Sequence, residues 1–326
     1  MKERLLSGMR PTGILHLGHL VGALNNWVKL QDDYTCLFMV ADWHALMSEY
    51  KDPSKIKEYS IDNVIDWLSC GIDPRRSTIF IQSDVKEHLE LNMILACITP
   101  LGWLERCPTY KEQLRELKDK DISTYAFLGY PVLQAADILL YKAGAVPVGE
   151  DQLPHLELAR EIGRRFNHLY KSIFGDPKAV LTSFPRLLGI DGRKMSKSYQ
   201  NFIGLSEKEE AVKKKIVSMF TDPKRVRLKD PGHPNECNVC SYYKIFYPEK
   251  QKEVYNWCTR AEVGCTDCKN ELAQAIINIL RPIQERRAKL FHDKSKVYGI
   301  LEEGAKAAGH IAAKTLQEIR DIFNLK

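Results

Sequence analysis

No apolar run in this 326-residue chain approaches the roughly 20 residues that a membrane-spanning helix needs, so a helical membrane protein is not expected. The opening MKERLLSGMRP lacks the apolar stretch of a secretory signal, and the expected compartment is the cytoplasm. Internal repeats and low-complexity tracts are missing too, which removes solenoids and compositionally biased spacers. Charge of one sign is scarcely in excess. The chain has 48 Lys and Arg against 42 Asp and Glu, a formal net charge of +6. That excess permits a nucleic-acid partner without demanding one. A reducing compartment also excludes a disulfide framework, so the nine cysteines need another account.

The composition, 44% hydrophobic and 28% charged, is enough for one large or two medium domains. In the first half, short apolar runs alternate with helical patterns. TCLFMVAD (35–42) and STIFIQSD (77–84) read as buried strands, and residues 56–68 and 88–101 as helices. That order predicts an α/β domain with a parallel sheet, whose ligands bind at the carboxyl ends of the strands. From about Ser206 the pattern turns charged and helical, as in SEKEEAVKKKIVSMF, broken by DPGHPNEC at 230–237. The expected division is 1–190, a catalytic α/β domain, and 191–326, an α-helical domain, with the change near 189–199.

Two motifs carry nucleotide chemistry. His16-Leu17-Gly18-His19 opens a helix, and a helix N-terminus offers unpaired N–H groups and a positive dipole end to phosphate. Gly18 permits close approach of the backbone, and both imidazoles can donate to phosphate oxygens. Alone, so short a motif is weak. The second is Lys194-Met195-Ser196-Lys197-Ser198 in the loop GIDGRKMSKSYQN, where two lysines and two hydroxyls beside Gly192 suit a clamp on a triphosphate. As an ordered pair, the motifs resemble the two signatures of the class I aminoacyl-tRNA synthetases. The resemblance implies a Rossmann-like catalytic domain, ATP with Mg2+, and aminoacyl-adenylate chemistry. On the same basis Arg10 and Thr12 join Gly18, His19 and the loop residues as ATP-binding positions.

Within that class the short spacing between the motifs is similar to the tryptophanyl and tyrosyl subclass, which are homodimers. SGMRPTGILHLGHLVGALNNW with Trp27, GYPVLQAADILLY (129–141) and PVGEDQLPHLELAREIGRRFN (147–167) resemble the tryptophanyl members. L-tryptophan and tRNA(Trp) are then the expected substrates. Tyr130, Gln134, Asp137 and Tyr141 recur on one face of an otherwise apolar helix. A carboxylate there needs a partner, and Asp137 is the candidate acceptor for the indole N–H; the competing account is a core carboxylate bonded only to protein. The resemblance assigns Tyr130 and Gln152 to the substrate ammonium and adds His44 and Leu6 to the pocket. Tyr130, Gln134 and Asp137 also resemble tyrosyl enzymes. Leu6, however, stands where those have a tyrosine that contacts the substrate hydroxyl. Arg10 stands where many tryptophanyl relatives have glutamine. A small-molecule nucleotidyltransferase shares an H-x-G-H turn but not the lysine loop or the long helical second half.

Cys36, Cys70 and Cys97 sit among apolar residues and read as small core side chains, and Cys107 carries no signal. The other five, Cys237, Cys240, Cys258, Cys265 and Cys268, crowd into one segment. Cys237-x2-Cys240 with Cys265-x2-Cys268 is close to zinc-ribbon spacing and leaves Cys258 spare. Cys258-x6-Cys265-x2-Cys268 preceded by Cys237 resembles instead a subset of tryptophanyl enzymes with a [4Fe–4S] cluster near the anticodon-binding region. That resemblance makes Cys237, Cys258, Cys265 and Cys268 the expected ligands and Zn2+ the alternative metal.

Overall fold

Five short runs build a single parallel sheet: β1 (Arg4–Met9), β2 (Thr35–Val40), β3 (Ser77–Ile81), β4 (Ala145–Val148) and β5 (Lys178–Leu181). The order is β3-β2-β1-β4-β5. The computed structural model describes residues 2–108, 110–111, 121–181, 187–193, 195 and 199–324. β1 pairs with β2 in register from Arg4↔Thr35 to Met9↔Val40. The strands are apolar without alternation because both faces are covered; Cys36 to Val40 are all buried. The order reverses between β1 and β4, the switch point where doubly wound sheets open a crevice at the carboxyl ends.

Two expected strands end early. β2 stops at Val40 and β3 at Ile81, because Asp42 and Gln82 begin new turns. The Asp42 carboxylate accepts from the backbone N–H of Trp43 and of Ser83, both at 3.0 Å, and so ties the two strand ends together.

The helices in chain order are α1 (Leu17–His19), which runs through a wide π turn (Leu20–Leu24) into α2 (Asn25–Leu30), then α3 (Asp42–Glu49) and α4 (Ile56–Ser69). They continue with α5 (Glu87–Ile98), α6 (Leu101–Arg106), α7 (Tyr125–Leu140), α8 (Leu153–Leu169) and α9 (Glu209–Val217). The last four are α10 (Asn238–Phe246), α11 (Gln251–Thr259), α12 (Cys265–His292) and α13 (Lys294–Phe323).

The chain forms two compact units, and neither is continuous in sequence. The first comprises Met1–Gly13, Asn26–Ser183 and Asp293–Lys326; the second, Ile14–Asn25 and Phe184–His292. A division at 190/191 therefore departs from the contacts at three segments, 14–25, 184–190 and 293–326. The largest holds α13, whose stripe Val297, Leu301, Ala308, Ala312, Leu316 and Ile319 is buried in the first unit. It covers β3, an edge strand that would otherwise present unpaired backbone groups. Arg320 fastens it with two bonds to Glu90, Nε to Oε1 at 2.7 Å and Nη2 to Oε2 at 2.5 Å. Periodicity announces such a helix but not the sheet it joins.

In the first unit Leu6, Leu37, Met39, Phe80, Leu91 and Ala136 share one core. Trp27 stacks on Phe38 at 4.5 Å and meets Trp67 edge-on at 5.1 Å. In the second, α9 packs on α12, and Gln284 of α12 donates to the carbonyls of Leu205 and Glu207. Cys36 is buried as expected and Cys70 half-buried, but Cys97 is exposed on α5. An apolar neighbourhood in sequence does not set which way one helix position faces.

A Cβ on Gly304 of α13 would lie 1.8 Å from the carbonyl oxygen and 2.7 Å from the carbonyl carbon of Ile79, so the helix meets β3 backbone to backbone. Around Gly309 of the same helix there is nothing within 4 Å. Gly304→Ala is expected to lower stability by about 1–3 kcal/mol or more by overpacking. Gly309→Ala should raise it by about 0.5–1 kcal/mol through helix propensity. Urea unfolding midpoints of the two variants check the pair; equal shifts would remove the close contact.

Candidate active site

The crevice-side ends of the strands deliver polar groups into an apolar surrounding. After β1 the chain turns through exposed Arg10 and half-buried Thr12, and β2 leads to His44 in the first turn of α3. β3 leads to Gln82, and β4 to Gln152. Leu6 on β1 is buried among core side chains. Gln152 is half-buried and donates to the Asp151 carboxylate at 3.0 Å. Over this end lies α7, started by Thr124, whose hydroxyl accepts from Phe127 N–H at 3.2 Å. α7 carries Tyr130 and Asp137 as buried side chains and Gln134 as a half-buried one.

Asp137 is only 3% exposed, and three side chains converge on it. His44 Nε2 lies 2.8 Å from Oδ2, His88 Nδ1 lies 2.6 Å from Oδ1, and Gln82 Nε2 donates to Oδ1 at 2.8 Å. Burial alone would push the carboxyl pKa up; the hydrogen bonds from His44 and His88 outweigh it and hold the group below the usual carboxylate value. Behind His88, Nε2 meets Tyr141 Oη at 2.7 Å. Burial, then the charge of Asp137, raises the Tyr141 pKa, so the phenol keeps its proton. His88 and Gln82 were not anticipated. The rule that strand ends bear the site could have found Gln82; nothing in the spacing of KEHLEL marks His88.

Tyr130 has an unanticipated neighbour as well. Its Oη lies 2.9 Å from His155 Nε2, and His155 Nδ1 is 3.6 Å from Cys107 Sγ. His155 sits on α8 inside the segment 147–167 and is 2% exposed. Burial first, and then the nearby His44, lowers its pKa to about 4.

In the second unit, His16 caps α1 from an extended backbone. Its Nδ1 accepts from Gly18 N–H at 3.1 Å, while His19 Nδ1 accepts from His16 N–H at 3.2 Å. This reciprocal box uses Nδ1 of both rings as acceptors, so in the neutral imidazoles the Nε2 atoms carry the protons and are donors. Gly18 is required locally, because a Cβ there would come 2.9 Å from the His16 ring and 3.2 Å from Met195 Sδ. The turn is stitched to the chain that follows the lysine loop: Leu17 N–H donates to Ile203 O and Leu205 N–H to Leu15 O, each at 3.0 Å. At the base of that loop Gly192 has φ +78°, and the Asp191 carboxylate accepts from Arg193 and Asn201. Of the loop residues, Met195 is described; Lys194, Ser196, Lys197 and Ser198 lie outside the described residues.

The cysteine segment also gathers. Cys237 precedes α10, which carries Cys240; Cys258 is on α11; and Cys265 and Cys268 occupy the first turn of α12. All five thiols line one cavity, with Arg225 and Trp257. A hydrogen bond from Cys240 lowers the Cys237 pKa to about 6, while the same bond raises that of Cys240. Arg225 Nη1 approaches Cys265 Sγ at 3.8 Å. Among the described residues no group of three or more His, Cys, Asp or Glu side chains is arranged to hold a metal ion.

The sheet order and the paired histidine turn and lysine loop define a class I tRNA synthetase, and the family model for tRNA synthetases class I (W and Y) matches residues 2–281. The tryptophan–tRNA ligase of Thermotoga maritima is 54% identical over 325 residues, 99% of each chain. That of Deinococcus radiodurans is 42% identical over 324 residues, 98% of this chain and 97% of the relative. The crystal structure of the Campylobacter jejuni tryptophanyl-tRNA synthetase complexed with ADP and tryptophan superposes with a TM-score of 0.89. It is 36% identical and the match covers 99% of this chain and 100% of that one. This chain belongs to the tryptophan–tRNA ligases.

The buried neutral His155 gives stability a pH dependence. Its folded pKa of about 4 lies below the ordinary 6.5. Between those values the unfolded chain takes up a proton that the folded chain refuses. The contribution is complete above about pH 6.5 and is lost as pH falls toward 4, by no more than about 3 kcal/mol. Denaturant unfolding over that range should show the loss, and His155→Gln, which keeps a polar atom for Tyr130, should flatten it. An identical slope in the variant would assign the loss to other groups.

Proposed function

We propose that the residues described above divide the work of tryptophan–tRNA ligation. L-tryptophan and ATP give tryptophanyl-adenylate and pyrophosphate, and the acyl group then passes to tRNA(Trp). The observation that carries this reading is the Asp137 carboxylate. Two donors occupy Oδ1 and one occupies Oδ2, so of about four acceptor positions one is left, on Oδ2. In an apolar helix that suits a single N–H donor such as an indole. Leu6 and His44 line the ring pocket with Gln134, while Tyr130 and Gln152 receive the ammonium.

The substrate carboxylate is already ionised, so its attack on the α-phosphorus needs no general base; catalysis is positioning and charge stabilisation. His16 and His19 donate from Nε2 to phosphate oxygens, and Gly18, Arg10 and Thr12 complete the nucleotide contacts. Mg2+, Lys194 and Lys197 offset the charge that grows on the pyrophosphate; Met195, Ser196 and Ser198 complete the loop. Lys197→Ala is expected to slow adenylate formation by about 3 kcal/mol of transition-state stabilisation while sparing tryptophan affinity. Exchange of labelled pyrophosphate into ATP, run with tryptophan and with tyrosine, checks both statements. Parental exchange in the variant removes the lysine's role, and exchange driven by tyrosine removes the substrate assignment.

The five thiols on one cavity support a metal centre. Cys237, Cys258, Cys265 and Cys268 would hold a [4Fe–4S] cluster, with Cys240 beside Cys237 as the fifth thiol. The alternative is Zn2+ on the two C-x2-C pairs. When bound, the cluster would fix the segment around Arg225 and the start of α12, not take part in acyl transfer. Protein purified without oxygen should be brown and contain about four irons per chain. A colourless protein with one zinc that survives Cys258→Ser but not Cys240→Ser would reverse the assignment. Three further parts complete the proposal: a homodimer, a cytoplasmic location, and contact between the helical residues after 191 and the tRNA anticodon arm. No helix among the described residues is long and apolar enough to cross a membrane.

A further inference from the structure

We infer that His88, backed by Tyr141, is a positioning residue that sets which oxygen of Asp137 is offered to the substrate. The inference rests on the reading of Asp137 as the acceptor for the indole N–H. His88 is fully buried, and its ring bridges two buried side chains of α7's end: Nδ1 to Asp137 Oδ1 at 2.6 Å and Nε2 to Tyr141 Oη at 2.7 Å. A phenol that keeps its proton can donate to Nε2. With Tyr141 donating to Nε2, the imidazole donates to the carboxylate from Nδ1. The chain of donors runs from Tyr141 through His88 to Asp137 and has one direction. Gln82, also fully buried, donates to the same Oδ1 at 2.8 Å. Two donors fill Oδ1 and fix the carboxylate plane; Oδ2, with His44 alone among the described residues at 2.8 Å, keeps the open acceptor position. Without His88 the carboxylate can rotate, and Oδ1 regains an acceptor position facing the protein. The site then loses its preference for a substrate with an N–H in one place, because such discrimination depends on a buried polar group that only the right partner satisfies.

The test compares kcat/KM in pyrophosphate exchange for L-tryptophan and for 3-(3-benzothienyl)-L-alanine, in which sulfur replaces the indole N–H. His88→Leu should lower the ratio between the two at least about tenfold, through a higher KM for tryptophan more than a lower kcat. His88→Asn should restore most of it, because its amide nitrogen can stand where Nδ1 stood. Tyr141→Phe, which removes only the hydroxyl, should lower the ratio about threefold. It carries the test should His88→Leu not fold, and circular dichroism and ATP binding report folding. Parental ratios in the folded His88→Leu, or in Tyr141→Phe in its place, overturn the inference. Asp137→Asn separates the two levels. If it abolishes discrimination while the His88 and Tyr141 variants keep it, only the positioning role falls; if it too keeps the parental ratio, the reading of Asp137 falls.

Discussion

The buried carboxylate of Asp137 is the constraint on which the strand-end side of the first unit depends. Taking such a charge out of water costs several kcal/mol unless it is paired and hydrogen-bonded. Hydrogen bonds to charged groups return about 1.5–3 kcal/mol each, so three of them can hold it ionised. The donors come from three different places: His44 after β2, Gln82 after β3, and His88 on α5. The sheet order that places β2 and β3 side by side is therefore what lets α7 keep an ionised group in an apolar setting. Asp42 ties the ends of the same two strands by bonding Ser83 N–H, so the frame that carries the donors is itself bonded.

The histidine turn solves a different problem with the same economy of atoms. A helix start leaves backbone N–H groups without partners. Here two of them, on His16 and Gly18, are met by the histidine rings themselves. The imidazoles thus act on the backbone with one nitrogen, and that bond decides which nitrogen bears the proton. In each ring the cap uses Nδ1 and not Nε2. The π turn that follows, at Leu20–Leu24, is an irregularity of the kind found in helices that serve a site.

Much of this was legible in the sequence, and the parts that were not share a cause. Apolar runs of the right length announced β2 and β3, and the periodic face of 130–141 put Asp137 and Tyr141 where His88 bridges them. The two signatures named the chemistry, although four of the loop residues lie outside the described residues. What periodicity could not supply was a partner. α13 reads as one more amphipathic helix of the second half, yet it returns to β3, because only the fold decides which apolar surface remains to be covered. Likewise Cys97 sits among apolar residues in sequence yet is exposed, and nothing in the spacing marks His88 and His155, which are buried beside Asp137 and Tyr130. Local pattern fixes which side of a helix is apolar. It does not fix which polar side chain reaches across to another element.

On the proposed reading of Asp137, the choice between an indole and a phenol follows from the same inventory of hydrogen bonds. A phenol hydroxyl must donate and can also accept, so a pocket built for it supplies both kinds of group at the ring's far end. In this chain the position that could add a hydroxyl on β1 is Leu6, which is 3% exposed and packed into the core. Just past α7, the Tyr141 phenol is already engaged with His88 at 2.7 Å. What remains is one acceptor position on the Asp137 carboxylate, whose other oxygen is met by His88 and Gln82. A single N–H on a flat apolar ring satisfies that position and asks nothing further of the pocket. A tyrosine hydroxyl could donate to the same position, but its oxygen would then lack the second donor that Leu6 cannot supply.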